Sequence, residues 1–334
     1  MSGRVVIGGL LLVLLQGCGL PKGLHVTEVV TSPSKPSNVV SVVEVSDGQQ
    51  PVSELRSSAF RLFEDRVVLD TATTRFRLLE PTSVISFHTA LLVDLGVAPT
   101  EERRRELEGR IADFVSRARN RQSVTVLAFD GSQRIKHLGD FPLETGQSTL
   151  APVQVRLSAP TDSSRNLRGA IVEALDILDA RFTRSLKALR VGTLNVVTAG
   201  PDLAGRVSEA SFDERLNRTT VLTYVHGLSS DDPDVKRLAY GGKFQTIDDA
   251  GSSLPFDALL ARSNARVGSH YVLSYCSPSR SGERQLRVEV QRVRDDLEVD
   301  TASVDTHFDS TGFTSGCDSS RSPRSSELRR ALGR

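Results

Sequence analysis

The chain has 334 residues, with 42 Lys and Arg against 41 Asp and Glu, a formal net charge of +1, 38% hydrophobic residues and 25% charged residues. That balance neither repels the unfolded chain nor marks a polyanion partner, and no basic patch is interleaved with aromatics, which speaks against nucleic acid. The length suits one large domain with a smaller one beside it.

The chain opens "MSGRVVIGGLLLVLLQGCGL". One Arg, roughly 11 apolar residues and then small residues make the h-region of a signal peptide, too short for the roughly 20 residues of a spanning helix. Leu15, Gln16, Gly17 and Cys18 resemble a bacterial lipobox, so residues 1–18 are expected to be a lipoprotein signal peptide with Cys18 as the lipidated residue. This implies a lipid-anchored protein of the bacterial cell envelope, at the outer membrane if the cell is Gram-negative. Residues 19–37, "GLPKGLHVTEVVTSPSKPS", are rich in Pro, Ser and Gly and suit a flexible tether.

From residue 38 the pattern is strand-like. "NVVSVVEVSDGQQPVSEL" turns at Asp47-Gly48, and "AFRLFEDRVVL" and "RFRLLEP" alternate apolar with polar, giving a small β-rich unit over 38–85. At residue 86 the period changes: "VISFHTALLVDL" is a near-continuous apolar run, as expected of a strand buried on both faces of a parallel sheet. "TEERRRELEGRIADFVSRARN" then puts Leu107, Ile111, Phe114, Val115 and Ala118 at helical spacing behind Thr100 as N-cap. A second helix carries Leu167, Ile171, Ala174, Leu175 and Leu178 on one face, and further strands and helices alternate up to "SHYVLSYCSP" and "RQLRVEVQRV". The alternation predicts an α/β fold over 86–292: a doubly wound, mostly parallel, Rossmann-like sheet flanked by helices, whose working edge lies beyond the carboxyl ends of the strands. Residues 293–317 are expected to be a C-terminal extension. The tail 318–334 is polar and Arg-rich, either a disordered end or an anion-binding segment.

Cys276 and Cys317 remain once Cys18 carries lipid. An exported pair implies a disulfide holding the extension and stabilising the fold by roughly 4 kcal/mol for a loop of about 40 residues; two unrelated buried thiols are the alternative. The six histidines, His25, His88, His137, His226, His270 and His307, are scattered, without zinc-ligand spacing. Neither a Gly-x-Ser-x-Gly elbow nor a phosphate-cradling glycine loop occurs, and no catalytic constellation is visible.

The order of elements, with "VVEVSDGQQPVSELRSSAFRLFED" ahead of the α/β part and "YVLSYCSPSRSGERQLRVEV" near its end, resembles the von Willebrand factor A domains of exported bacterial proteins. Metal-binding members of that family hold a Mg²⁺-type ion with an Asp-x-Ser-x-Ser loop, a Thr and a further Asp, a set that suits the oxygen-rich octahedral shell of Mg²⁺. Here the first loop reads "DLGVA", keeping Asp94 but placing Gly96 and Ala98 where hydroxyls belong. The second reads "SSRNLRGA", with Arg165 at the Thr position. The third reads "VVTAGPDLAGRVS", with Ala199 at the Asp position. The resemblance therefore implies a degenerate metal site in which Arg165 pairs with Asp94, no cofactor, no catalysis, and a metal-independent scaffold that binds an unknown protein partner in the cell envelope. Three other outcomes stay open: Asp94 and Arg165 as ordinary solvated charges, residual Mg²⁺ binding through Asp94, Asp202 and Ser164 in an adhesin or sensor with a remade site, and a hydrolase of unrecognised type.

Overall fold

The computed structural model describes residues 23–48, 50–144, 152–227, 235, 244–246, 256–294 and 297–333. Residues 1–22, with Cys18 and the lipobox, lie outside the described residues. The chain begins with β1 (Leu24–Ser34), β2 (Asn38–Asp47), β3 (Gln50–Pro51), β4 (Phe60–Glu64), β5 (Val67–Val68) and β6 (Arg77–Leu79). The middle runs β7 (Ile85–Asp94), α1 (Glu101–Ala118), β8 (Ser123–Phe129), β9 (Lys136–Phe141), α2 (Leu167–Arg184), β10 (Leu189–Thr198), α3 (Glu209–Asn217), β11 (Leu222–Gly227), β12 (Phe244–Thr246) and α4 (Phe256–Gly268). It closes with β13 (His270–Cys276), β14 (Glu283–Val293), β15 (Val299–Asp309) and α5 (Ser325–Leu332).

Six strands form the α/β sheet in the order β12-β11-β10-β7-β8-β9. All neighbours are parallel except β9, which runs antiparallel to β8. Along the central strand β7, Leu91 and Val93 meet the buried faces of α1 and α4, while Ala90 and Leu92 meet those of α2 and α3. Burial on both faces is why this strand reads as a continuous apolar run rather than an alternation. The α1 stripe Leu107, Ile111, Phe114, Val115 and Ala118 is buried as its spacing implies, and the Thr100 side chain accepts from the Arg103 N–H.

Two antiparallel sheets stand beside this layer: β1-β2-β13-β6, with β3 on β2, and β15-β14-β4-β5. Val39, Val43 and Val45 of β2 pack with Leu286, Val288 and Val290 of β14 between the two sheets. The opposite face, through Val40, Val42 and Val272, packs on Ile85, Phe87 and Leu189 at the start of β7 and β10. β2 is therefore a middle layer, covered from both sides.

These sheets correct several expectations. The segment read as a tether, 19–37, contains β1, which pairs with β2 from Leu24↔Asp47 to Ser34↔Asn38. Its Pro and Ser residues are accommodated because β2 supplies the partner and the hydrophobic cover. β13 and β14 do not extend the parallel sheet but pair with β2 and β4, so the boundaries 38–85, 86–292 and 293–317 are replaced by a sandwich built from both ends of the chain. The 293–317 segment supplies β15, paired along β14. The tail 318–334 is not a disordered end over its described residues: it forms α5, whose Leu328 is fully buried against β1 and the start of β7. One fully buried Leu contributes about 2 kcal/mol towards docking this short polar helix, which a nearby crosslink also holds.

Candidate functional site

Asp94 ends β7 at the carboxyl edge of the parallel sheet and is 2% exposed. Such a carboxylate is tolerable only if its oxygens are matched by donors. Four supply them. The Gly96 N–H donates to Oδ1 at 2.8 Å; Arg165 Nε (2.5 Å), the Ala199 N–H (3.0 Å) and the Thr198 hydroxyl (3.2 Å), whose single proton is shared with the Gly200 carbonyl at 2.8 Å, donate to Oδ2.

The donors come from three loops at that edge. Gly96 lies in a single tight turn, Leu95–Val97, that Asp94 caps with its own side chain. A Cβ on Gly96 would stand 3.0 Å from Asp94 Oδ1, so glycine lets the loop wrap the carboxylate closely. Arg165 arrives from the loop preceding α2. Its Nη1 donates to the Pro201 carbonyl at 3.1 Å, and its own carbonyl accepts from the N–H groups of Leu203 and Ala204. Gly200 leaves room for it, since a Cβ there would lie 3.1 Å from Nη1. The guanidinium is thus held by side chain and main chain, bridging the first and third loops.

The donor set does not fit Mg²⁺. Gly96, Ala98 and Ala199 present no side-chain oxygen, the Asp94 oxygens already accept from four groups, and the nearest charge is a cation. Asp202 is engaged elsewhere, its Oδ1 accepting from the Arg168 N–H and its Oδ2 from the Gly205 N–H, with Arg168 Nε at 3.4 Å. The Ser164 hydroxyl donates to Asp162 at 2.7 Å. The oxygens considered for residual metal binding are therefore divided among separate partners. Among the described residues no group of three or more His, Cys, Asp or Glu is placed to hold a metal.

A second buried carboxylate was not singled out in the sequence. Asp130, at the end of β8, is 2% exposed and accepts from the N–H groups of Ser132 and Thr161 and from the Thr161 hydroxyl, with Lys136 Nζ at 3.4 Å. Burial alone would raise its pKa, but the hydrogen bonds from Ser132 and Thr161 outweigh it and hold the carboxyl well below its ordinary range. Asp130 fastens the segment before α2 to the end of β8, and its carbonyl accepts from the Asn166 N–H, fixing the residue next to Arg165. The signal lay in "FDGSQ", an Asp with a turn residue and a hydroxyl directly behind a strand. The Thr198 hydroxyl and the Ala199 N–H are further donors that sequence reasoning missed, the second because a main-chain donor leaves no trace in residue type.

Two histidines, His88 and His270, are held by neighbouring polar groups. His88 Nε2 is 2.8 Å from the Thr125 hydroxyl, which donates to Asp140. His270 Nδ1 lies 2.9 Å from the Arg266 carbonyl. Burial, aided by nearby Arg181 and Arg266 respectively, pushes both rings down to about 4. Cys276 and Cys317 are disulfide-bonded, with Cα atoms 5.7 Å apart.

No protein-family model matches the chain, and no curated protein matches it in sequence. Solved structures do match in shape. The ArnB paralog VWA2 from Sulfolobus acidocaldarius is similar at 13% identity and a TM-score of 0.37, over 86% of this chain and 74% of that one. A von Willebrand factor type A protein from Catenulispora acidiphila is similar at 8% identity and a TM-score of 0.36, over 90% and 76%. Proximal thread matrix protein 1 from the mussel byssus is similar at 11% identity and a TM-score of 0.35, over 58% of this chain and 49% of that one.

Proposed function

We propose that this protein is a lipid-anchored, non-catalytic binding module of the bacterial cell envelope that uses a von Willebrand factor A-type fold without a metal. The observation that carries this reading is the Arg165–Asp94 pair, with Nε 2.5 Å from Oδ2, at the carboxyl edge of the parallel sheet. A guanidinium supplies a permanent positive charge and fixed directional donors, so it neutralises Asp94 and ties the three loops together as an ion would. Because a guanidinium offers no exchangeable coordination position, a partner carboxylate has no ion to ligate. Contacts with a partner therefore fall to the loop surfaces around the pair. Anchoring rests on Cys18 behind its apolar run.

Cell fractionation with in-envelope crosslinking tests this reading, comparing the native chain with Cys18→Ser. The native chain is expected in the membrane fraction with an acylated Cys18, forming the same crosslinked adducts in EDTA as in Mg²⁺. A native chain that is fully soluble overturns the anchoring, and adducts that vanish in EDTA and return with Mg²⁺ replace the metal-independent reading with a metal-dependent adhesin.

A further inference from the structure

The C-terminal segment, folded back onto β1, encloses a cavity of about 440 Å³ between the end of β1, the loop after β15, and α5. Its walls carry Lys35, Arg321, Arg324 and Arg330 against Asp309 and Glu327. Glu327 is already committed, Oε1 accepting from Arg321 at 2.6 Å and Oε2 from the Arg324 N–H at 2.8 Å. Asp309 accepts from the Thr311 N–H at 2.8 Å. Lys35, Arg324 and Arg330 have no carboxylate among the described residues within ion-pairing distance.

Two separate pieces of chain, the end of β1 and the α5 segment, thus bring unpaired cations to one hollow. The three cations are exposed, so water and the nearby Asp309 and Glu327 screen their mutual repulsion in part, and an entering anion would relieve the rest. Arg324 occupies the N-cap position of α5, where a cation opposes the helix dipole and a Ser, Thr, Asp or Asn would serve the orphan N–H groups better. The Lys35 ammonium lies against Gly312, where a Cβ would stand 2.9 Å from Nζ and where φ is +80°. A glycine there allows both the turn and the close approach of the ammonium.

We propose that this cavity is a binding site for a phosphate-bearing ligand, gripped by Lys35, Arg324 and Arg330. Guanidinium groups pair bidentately with phosphate oxygens, and an ammonium adds a point charge that swings to a third oxygen. The cavity volume lies within the range of small-ligand sites, so a phosphorylated small molecule fits as a whole rather than by its phosphate alone. The 11 residues of β1 carry the site about 35 Å along the strand from Leu24. The Cys276–Cys317 crosslink lies eight residues or fewer from Asp309 and Arg321 and holds the wall they belong to.

Calorimetric titration of the purified chain with inorganic phosphate and with pyrophosphate, at low and at moderate salt, tests the site. Cosedimentation with phosphatidylglycerol vesicles and with neutral phosphatidylcholine vesicles separates a lipid headgroup from a free phosphate. Saturable one-to-one binding that weakens with salt is expected, and the Arg324→Glu, Arg330→Glu double variant should weaken it about tenfold or more. Lys35→Gln, which leaves the tail untouched, should weaken it about threefold. Arg103→Glu, an exposed position on α1, should leave binding unchanged. Binding to the free anions alone assigns a soluble phosphate ligand, and binding confined to phosphatidylglycerol assigns a lipid headgroup; both keep the site. The proposal is overturned if none of the probes binds saturably, or if the double variant, shown by circular dichroism to be folded, binds as tightly as the native chain.

Discussion

The carboxyl edge of the parallel sheet and the hollow beside α5 both concentrate charge, and they treat it in opposite ways. At the sheet edge Asp94 is buried and every strong group around it is matched, its oxygens by four donors and the guanidinium by Asp94 and the Pro201 carbonyl. In the hollow, Lys35, Arg324 and Arg330 share the walls with Asp309 and Glu327 but form no ion pair with a described carboxylate. A matched charge in a dry setting organises the chain, whereas an unmatched cluster reachable from solvent is available for a ligand. The site that the sequence resemblance draws attention to is therefore the closed one.

Removing the crosslink should have the largest effect and should separate the two regions. Cys276→Ser with Cys317→Ser opens a loop of sequence separation 41, and by the chain-entropy estimate lowers unfolding free energy by about 4 kcal/mol. Denaturant titration reads that loss, and phosphate binding should fall with it. Arg165→Met follows. It leaves Asp94 buried with only its neutral donors, which should cost about 3 kcal/mol, and adding Asp94→Asn should recover much of that loss. If the double variant is no more stable than the single one, the pair is not coupled. Acid provides a third, smaller lever. His88 and His270 take up protons only near 4 in the folded state, against 6.5 when unfolded. The unfolded chain therefore binds more protons between those values, so stability should decline as pH falls through that window and stay level above about 7. Denaturation midpoints across this range check the sign, and His88→Gln should flatten part of the slope. Gly200→Ala should have the smallest effect, under about 1 kcal/mol, as the guanidinium gives way by a few tenths of an ångström.

Periodicity carried the parts of the fold whose burial is local. The stripe on α1 and the apolar run of β7 each declare their own burial, because a helix face or a doubly covered strand needs no knowledge of its partner. β1 could not be seen that way. Its Pro33 and neighbouring serines read as a linker, and only the partner β2, itself buried on both faces, makes them a strand. β13 and β14 look alike whether they pair in a parallel sheet or leave it, so the discontinuous sandwich was beyond a reading in chain order. Leu328 is the single buried apolar side chain among the described residues of a polar tail, too little pattern to announce a docked helix. At the candidate site, the pairing of Asp94 with Arg165 followed from aligning three loops by resemblance. The contributions of the Ala199 N–H, the Thr198 hydroxyl and Asp130 did not, because they depend on loop geometry rather than on which residue types are missing.

The claim that the guanidinium of Arg165 stands where a cation would is tested most directly by calorimetric titration of the purified chain with Mg²⁺, Ca²⁺ and Mn²⁺. The account predicts no saturable heat for any of the three, in the native chain and in Asp94→Ala alike. Saturable one-to-one binding in the native chain that disappears in Asp94→Ala would contradict it.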